Sequence, residues 1–179
     1  LPVSGEFRAC LYLVDPEFAA RARETGEGGI VEAAIGAKID SRFSHPLPIR
    51  ARVERLTAGA FVGKGPAFTG RHFSMGPTAV VSVGGIRIVA ASLPVMMIDP
   101  ELFRSQGIEP AEQDMVGIKS PTLFRPAYDS ISRTILYLDM PGPCQGRLEA
   151  VAFKDINRPI YPLDDFEWQA PEAERYGPL

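Results

Sequence analysis

The 179-residue sequence predicts an α/β (or α+β) domain: a mixed sheet with a central antiparallel β-hairpin region and flanking helices. Three observations carry that prediction. A strand-length apolar run passes directly into a capped helix near the start. Two β-branched runs flank a Gly-Gly pair in the middle. A later apolar run, "DMVGIKS", passes into a helix-like pattern, "TLFRPAYDSIS".

In order along the chain, "FRACLYLV" (7–14) is a continuous apolar run of strand length. Asp15 then stands as an N-cap, Pro16 at the first helical position and Gly26 as a stop, which predicts a helix between them. "GGIVEAAIGAKI" (28–39) reads as a strand with some helical ambiguity, because its apolar residues do not alternate cleanly. "SRFSHPLP" (41–48) is a loop. Apolar residues alternate at Ile49, Ala51 and Val53 and the pattern breaks at Gly59, predicting a half-exposed strand, a turn and a short return strand. "GPAFTGRHFSMG" (65–76) reads as a glycine-bracketed loop. The runs on either side of Gly84-Gly85 (78–92) predict a hairpin whose two central positions take positive φ. "DPELFRSQG" (99–107) repeats the Asp-Pro-Glu start of residues 15–17 and predicts a second capped, short helix, although two tripeptides do not make an internal repeat.

"DMVGIKS" is read as a buried strand. The next stretch is read as a helix with Leu123, Phe124, Ala127, Tyr128 and Ile131 on one side. "RTILYLDMPGP" is read as a further apolar strand. One domain is expected over residues 1–165. From Arg158 onward the sequence is rich in Pro and acidic residues, its aromatics are expected to pack back on the body, and 166–179 is expected as a partly ordered tail.

Composition narrows the function. The net charge is -3 and the Lys and Arg residues are scattered, which argues against nucleic acid as a partner. No apolar run is long enough to span a bilayer, so no membrane partner is expected. Cys10 and Cys144 are too far apart in sequence for a metal knuckle or a disulfide framework, and a reducing, cytoplasmic setting is the expectation. The first strand comes early and no Met opens the chain, which leads to the expectation that these residues are the back part of a longer polypeptide.

Catalytic motifs are sparse. His45 and His72 lie apart in loop-like stretches, with no HExxH and no Asp-x-His, so no metal site is expected in this chain. There is no GxSxG elbow, and "GKGPAFTG" is not a P-loop. The Asp164-Asp165 pair reads as a solvated face. Lys119 and Ser120 are adjacent rather than at SxxK spacing, and neighbours on a strand point to opposite faces, so they do not form a nucleophile and base. Two readings of the pair stay open. In one, Ser120 or Thr122 caps the next helix, with Pro121 in its first turn, and Lys119 is a solvated strand-end lysine. In the other, that helix start and Lys119 form an anion site at the carboxyl end of a strand.

An ordered set of short motifs runs from about residue 8 to 165: "DPE" at 15–17, "IGAK" at 35–38, "GP" at 65–66, "GPTAVVSVGGI" at 76–86 and "DPELFRSQGIEP" at 99–110. "IKS" with "FR" (118–125), "DMPG" (139–142) and "RPIYPLD" (158–164) complete it. The set resembles the C-terminal domain of the MlrC (microcystin-degradation protein) family of zinc metallopeptidases. The resemblance implies an amide- or peptide-bond hydrolase whose zinc is bound outside this chain, by an N-terminal domain of the same polypeptide that carries an Asp-x-His element. It implies no cofactor within this chain, a small peptide or amide as substrate, and no activity for this domain alone. In such relatives the Lys-Ser segment continues to a His before Phe; here Leu123 stands in that place. An imidazole serves as acid or base near neutral pH and leucine cannot.

The expected substrate-binding residues are therefore Lys119, holding a substrate carboxylate or a developing oxyanion, with Ser120 beside it and Arg125 as a weaker second cation. The alternative is a non-catalytic module that binds small anions or another subunit. A homo-oligomer is compatible with either.

Overall fold

The computed structural model describes residues 7–140, 142, 148–165 and 167. The chain divides into two compact units, Leu1–Leu136 and Tyr137–Leu179. The first is built on a six-stranded mixed sheet, as an α/β chain should be. Its strands are β1 (Ala9–Val14), β2 (Ile30–Ile35), β3 (Leu47–Thr57), β6 (Thr78–Val83), β7 (Ile86–Ala91) and β8 (Met115–Val116), in the order β2-β3-β6-β7-β1-β8. β4 (Ala60–Val62) and β5 (His72–Ser74) form a separate two-stranded ribbon.

Helix α1 (Pro16–Thr25) starts where the residue types require. The Asp15 carboxylate accepts the Phe18 N–H at 3.0 Å, Pro16 occupies the first turn where no N–H is needed, and Gly26 ends the helix. Period-two alternation then sorts the strands' side chains onto two faces. On one face Phe18 and Ala22 of α1 pack with Val31, Ala51, Val53, Ala79, Val81, Ile88 and Ala90. On the other, Cys10, Val80, Val89 and Ala91 pack with Phe61, Met75, Met97, Leu102, Phe103 and Ile108. A sheet buried on both faces explains why "ACLYLV" and "AVVSV" read as near-continuous apolar runs. The β6–β7 hairpin forms at Gly84-Gly85, but only Gly84 takes a positive φ (57°), as a type II′ turn requires, so the expectation of positive φ at both central positions is corrected.

Several readings of the elements need correction. The strand after Gly59 does not return against β3. Gly59 takes a positive φ (68°) and sends β4 away to pair with β5, a strand inside the stretch read as loop. Phe61 stacks on Phe73 at 5.0 Å there, Phe68 meets Phe73 edge-on, and the Arg71 guanidinium covers both Phe68 and Phe73. β8 is two residues long and its Met115 is half exposed, so it is not a buried strand. The helix read after it shrinks to one turn, α3 (Arg125–Tyr128). Pro126 cannot donate to a carbonyl four residues back, so the helix begins where that donor is not needed. Phe124 and Tyr128 are buried, whereas Leu123 is half exposed. The apolar run at 133–140 forms no strand, and Leu136, Leu138 and Met140 are exposed. An apolar run becomes a strand when a neighbour pairs its backbone groups.

In the second unit, Asp164 is no solvated acid. It pairs with Arg158 and accepts the Ile160 N–H at 2.7 Å, closing the turn of "RPIYPLD". The Arg158 guanidinium holds the Asp164 carboxyl below its ordinary range. Tyr161, expected to pack back on the body, is exposed instead, because the turn of "RPIYPLD" is closed by polar bonds to Asp164; Phe166, Trp168 and Tyr176 lie outside the described residues, as does Cys144.

Candidate functional site

β1 runs parallel to both β7 and β8, so three adjacent strands bring their carboxyl ends to one edge of the sheet. That edge is where open α/β sheets hold ligands. The chain leaves it through Asp15 after β1, Ser92–Met97 after β7, and Gly117–Ser120 after β8.

Two of the features at or near this edge are structural. Asp15, 2% exposed, accepts Phe18 N–H at 3.0 Å, Gly36 N–H at 2.8 Å and the Lys38 ammonium at 3.0 Å. Asp99, 4% exposed, accepts Glu101 N–H at 2.9 Å and both Lys64 and Gly65 N–H at 2.7 Å. The Glu two residues after each Asp takes the lysine of the same loop: Glu17 lies 3.5 Å from Lys38 and Glu101 3.0 Å from Lys64. The two Asp-Pro-Glu segments are thus one device used twice, each heading a helix and clasping a distant Gly- and Lys-containing loop. Sequence reading missed it. The available signal was that "IGAK" and "VGKG" both offer the same partners. The glycine stretch 63–65 does cradle an anion, but the anion is the protein's own Asp99.

Lys119 stands apart from these clasps. It is exposed, and among the described residues no carboxylate lies within ion-pair reach of its ammonium. Its backbone N–H donates to Met97 Sδ at 3.2 Å. Ser120 follows it, half-buried, and does not cap a helix: α3 starts after Phe124 with no side-chain cap, and Thr122 provides none either. A four-residue helix also has too few aligned peptides to make its N-terminus an anion site. Arg125 opens α3 and leans on Asp129 at 3.5 Å, both half exposed. Beneath α3, the buried Tyr128 hydroxyl makes no hydrogen bond among the described residues. Burial, chiefly, raises its pKa, with the charges of Cys10 and Asp99 adding to it. Around Lys119, the loops also expose Leu93, Met96 and Leu123. One surface depression in the first unit is lined by Arg21, Glu24, Thr25, Val31 and Glu32, and one in the second unit by residues that include Phe153 and Arg158.

The family model for the MlrC C-terminus matches residues 4–155. The chain belongs to the MlrC C-terminus family. Microcystinase C from Sphingomonas sp is 23% identical over 124 residues, which are 69% of this chain and 24% of that protein. The crystal structure of an inferred metallopeptidase from Mesorhizobium sp. BNC1 matches with a TM-score of 0.78 at 26% identity, over 91% of this chain and 32% of that one. This MlrC C-terminal chain thus spans less than a third of the length of either relative. Metallopeptidase-like relatives raise the question of a metal, and the described residues do not fit one. No three His, Cys, Asp or Glu side chains among them gather in a way that could hold an ion. His45 and His72 are both exposed, and the buried carboxylates of Asp15 and Asp99 are taken up by backbone amides. Among the described residues no helix is long and apolar enough to cross a membrane.

Proposed function

We propose that this chain forms the substrate-facing C-terminal part of a peptide- or amide-bond hydrolase, with Lys119 receiving the substrate's carboxylate or the oxygen that gains charge during attack. The observation that carries the reading is a cation with no carboxylate partner among the described residues, just past parallel strand ends, whereas Lys38 and Lys64 are both held in ion pairs. Ser120 adds a hydroxyl beside it, and Arg125 a second, partly engaged cation. The names of the relatives, microcystinase C and metallopeptidase, support the reaction class. In this reading zinc is held outside this chain, by an N-terminal domain of the same polypeptide in the cytoplasm. The side chains described here bind and orient, and the domain alone is inactive.

The test is Lys119→Ala in the full-length protein, assayed on a mixture of N-acylated tripeptides by mass spectrometry. A lost charge-assisted hydrogen bond is worth ~1.5–3 kcal/mol, so kcat/KM should fall roughly ten- to a hundredfold with the melting temperature unchanged. Unchanged kinetics would remove Lys119 from the site. Calorimetric binding of N-acetyl-L-leucine that depends on Lys119, with no hydrolysis of any tripeptide, would instead favour a non-catalytic small-anion module.

A further inference from the structure

β8 pairs with β1 through Ala9↔Met115 and Cys10↔Val116, and Gly117 N–H carries the ladder one step further onto Cys10 O at 2.9 Å. In a parallel ladder the next donor stands two residues on, at Lys119, and its regular acceptor would be the Tyr12 carbonyl. Lys119 N–H goes to Met97 Sδ instead. A thioether is a weak acceptor. It can hold the strand end at that point only if the loop carrying Met97 is itself held. Tyr12 does this. Its hydroxyl donates to Leu93 O at 3.0 Å and accepts Val95 N–H at 3.0 Å. Tyr12, Val95 and Ile118 pack against the same core cluster that contains Met97, itself 2% exposed.

We propose that Tyr12 and Met97 are positioning residues that part the chain from β1 at Lys119 and set the direction in which Lys119 leaves the sheet. The brace closes on itself: the residue whose carbonyl would have continued the ladder uses its side chain to hold the loop that interrupts it. Without the brace, Lys119 N–H is free to re-pair with Tyr12 O or to face water, and the ammonium loses its fixed origin. The inference rests on the reading of Lys119 as the substrate-facing cation.

Tyr12→Phe removes the hydroxyl and keeps the ring; Met97→Leu removes the sulfur and keeps most of the volume. Both are made in the full-length protein and compared with Lys119→Ala. Hydrogen–deuterium exchange by mass spectrometry should show the segment holding Lys119 exchanging at least fivefold faster in both variants, with β6 and β7 unchanged. The association constant for N-acetyl-L-leucine should fall at least threefold in each, while selenomethionine at position 97, which keeps a chalcogen acceptor, should retain it. Wild-type exchange at Lys119 in both variants would overturn the brace. So would faster exchange with unchanged affinity, if Lys119→Ala abolishes binding. If Lys119→Ala leaves binding unchanged, the substrate-facing reading fails instead, and the exchange rates alone decide whether Tyr12 and Met97 set the strand exit.

Discussion

Asp99 accepts three backbone N–H groups with one carboxylate, from Glu101 at the head of its own helical turn and from Lys64 and Gly65 in a loop far off in sequence. Asp99 is buried, so Asp99→Ala takes the acceptor from all three donors. The expected loss is roughly 3 kcal/mol, since an unsatisfied buried polar group costs about 1–3 kcal/mol and bonds to a charged acceptor are the stronger kind. Asp99→Asn keeps one acceptor oxygen and should lose roughly half as much. Urea unfolding of the three proteins measures this, and a wild-type midpoint for Asp99→Ala would show the clasp to be idle. The capping half of such an Asp is legible in sequence, because a cap acts within three residues of itself. The clasping half is not, because nothing in "DPE" says which glycine loop will arrive beside it.

The same divide between near and far shapes the elements. Caps at Asp15 and Gly26 and the turn at Gly84-Gly85 act over a few residues, and α1 and the β6–β7 hairpin follow from them. The β4–β5 ribbon depends on Gly59. A Cβ there would lie 2.3 Å from Gly76 O, on a backbone at φ +68°. Gly59→Ala should therefore cost roughly 3 kcal/mol or more through strain and backbone displacement. Gly28, at φ +83° with nothing within 4 Å of an added Cβ, is the control and should lose about 1 kcal/mol on the same change. Thermal unfolding of the pair checks the difference; equal losses would mean the close approach to Gly76 relaxes easily. Ser120 teaches the complementary lesson. It has the chemistry of a cap, but Pro126 moves the helix start downstream to Arg125, so there is no helix for Ser120 to cap.

Across the whole molecule, burial of acidic protons couples folding to alkaline pH. Burial pushes the Cys10 thiol up to about 12, with Arg87 opposing slightly. Burial also raises Tyr12, against the pull of the Val95 N–H, and raises Tyr128. The unfolded chain gives up these protons from its ordinary values of 9.0 for the thiol and 10.0 for the phenols. Above pH ~9 the unfolded state therefore binds fewer protons than the native one, and stability falls as pH rises. The contribution is complete below that pH and lost progressively toward pH 12. The urea midpoint should be lower at pH 10.5 than at pH 8, and Cys10→Ala, less stable at pH 8 because of the cavity it leaves, should show a shallower decline. A midpoint that stays level between pH 8 and pH 10.5 would contradict this account.

The sequence by itself determined the class of fold, α1 with both its ends, the central hairpin, and Lys119 as a cation at a strand's carboxyl end. Each of these rests on interactions within a few residues or on side-chain periodicity, which a linear string records. Only the tertiary structure decided that β4 leaves the main sheet, that two Asp-Pro-Glu segments clasp loops, and that the Lys119 N–H goes to Met97 Sδ while the Tyr12 hydroxyl goes to Leu93 O. Those features are bonds between residues remote in sequence. A backbone donor takes whichever acceptor packing delivers to it, and composition and spacing do not encode that choice.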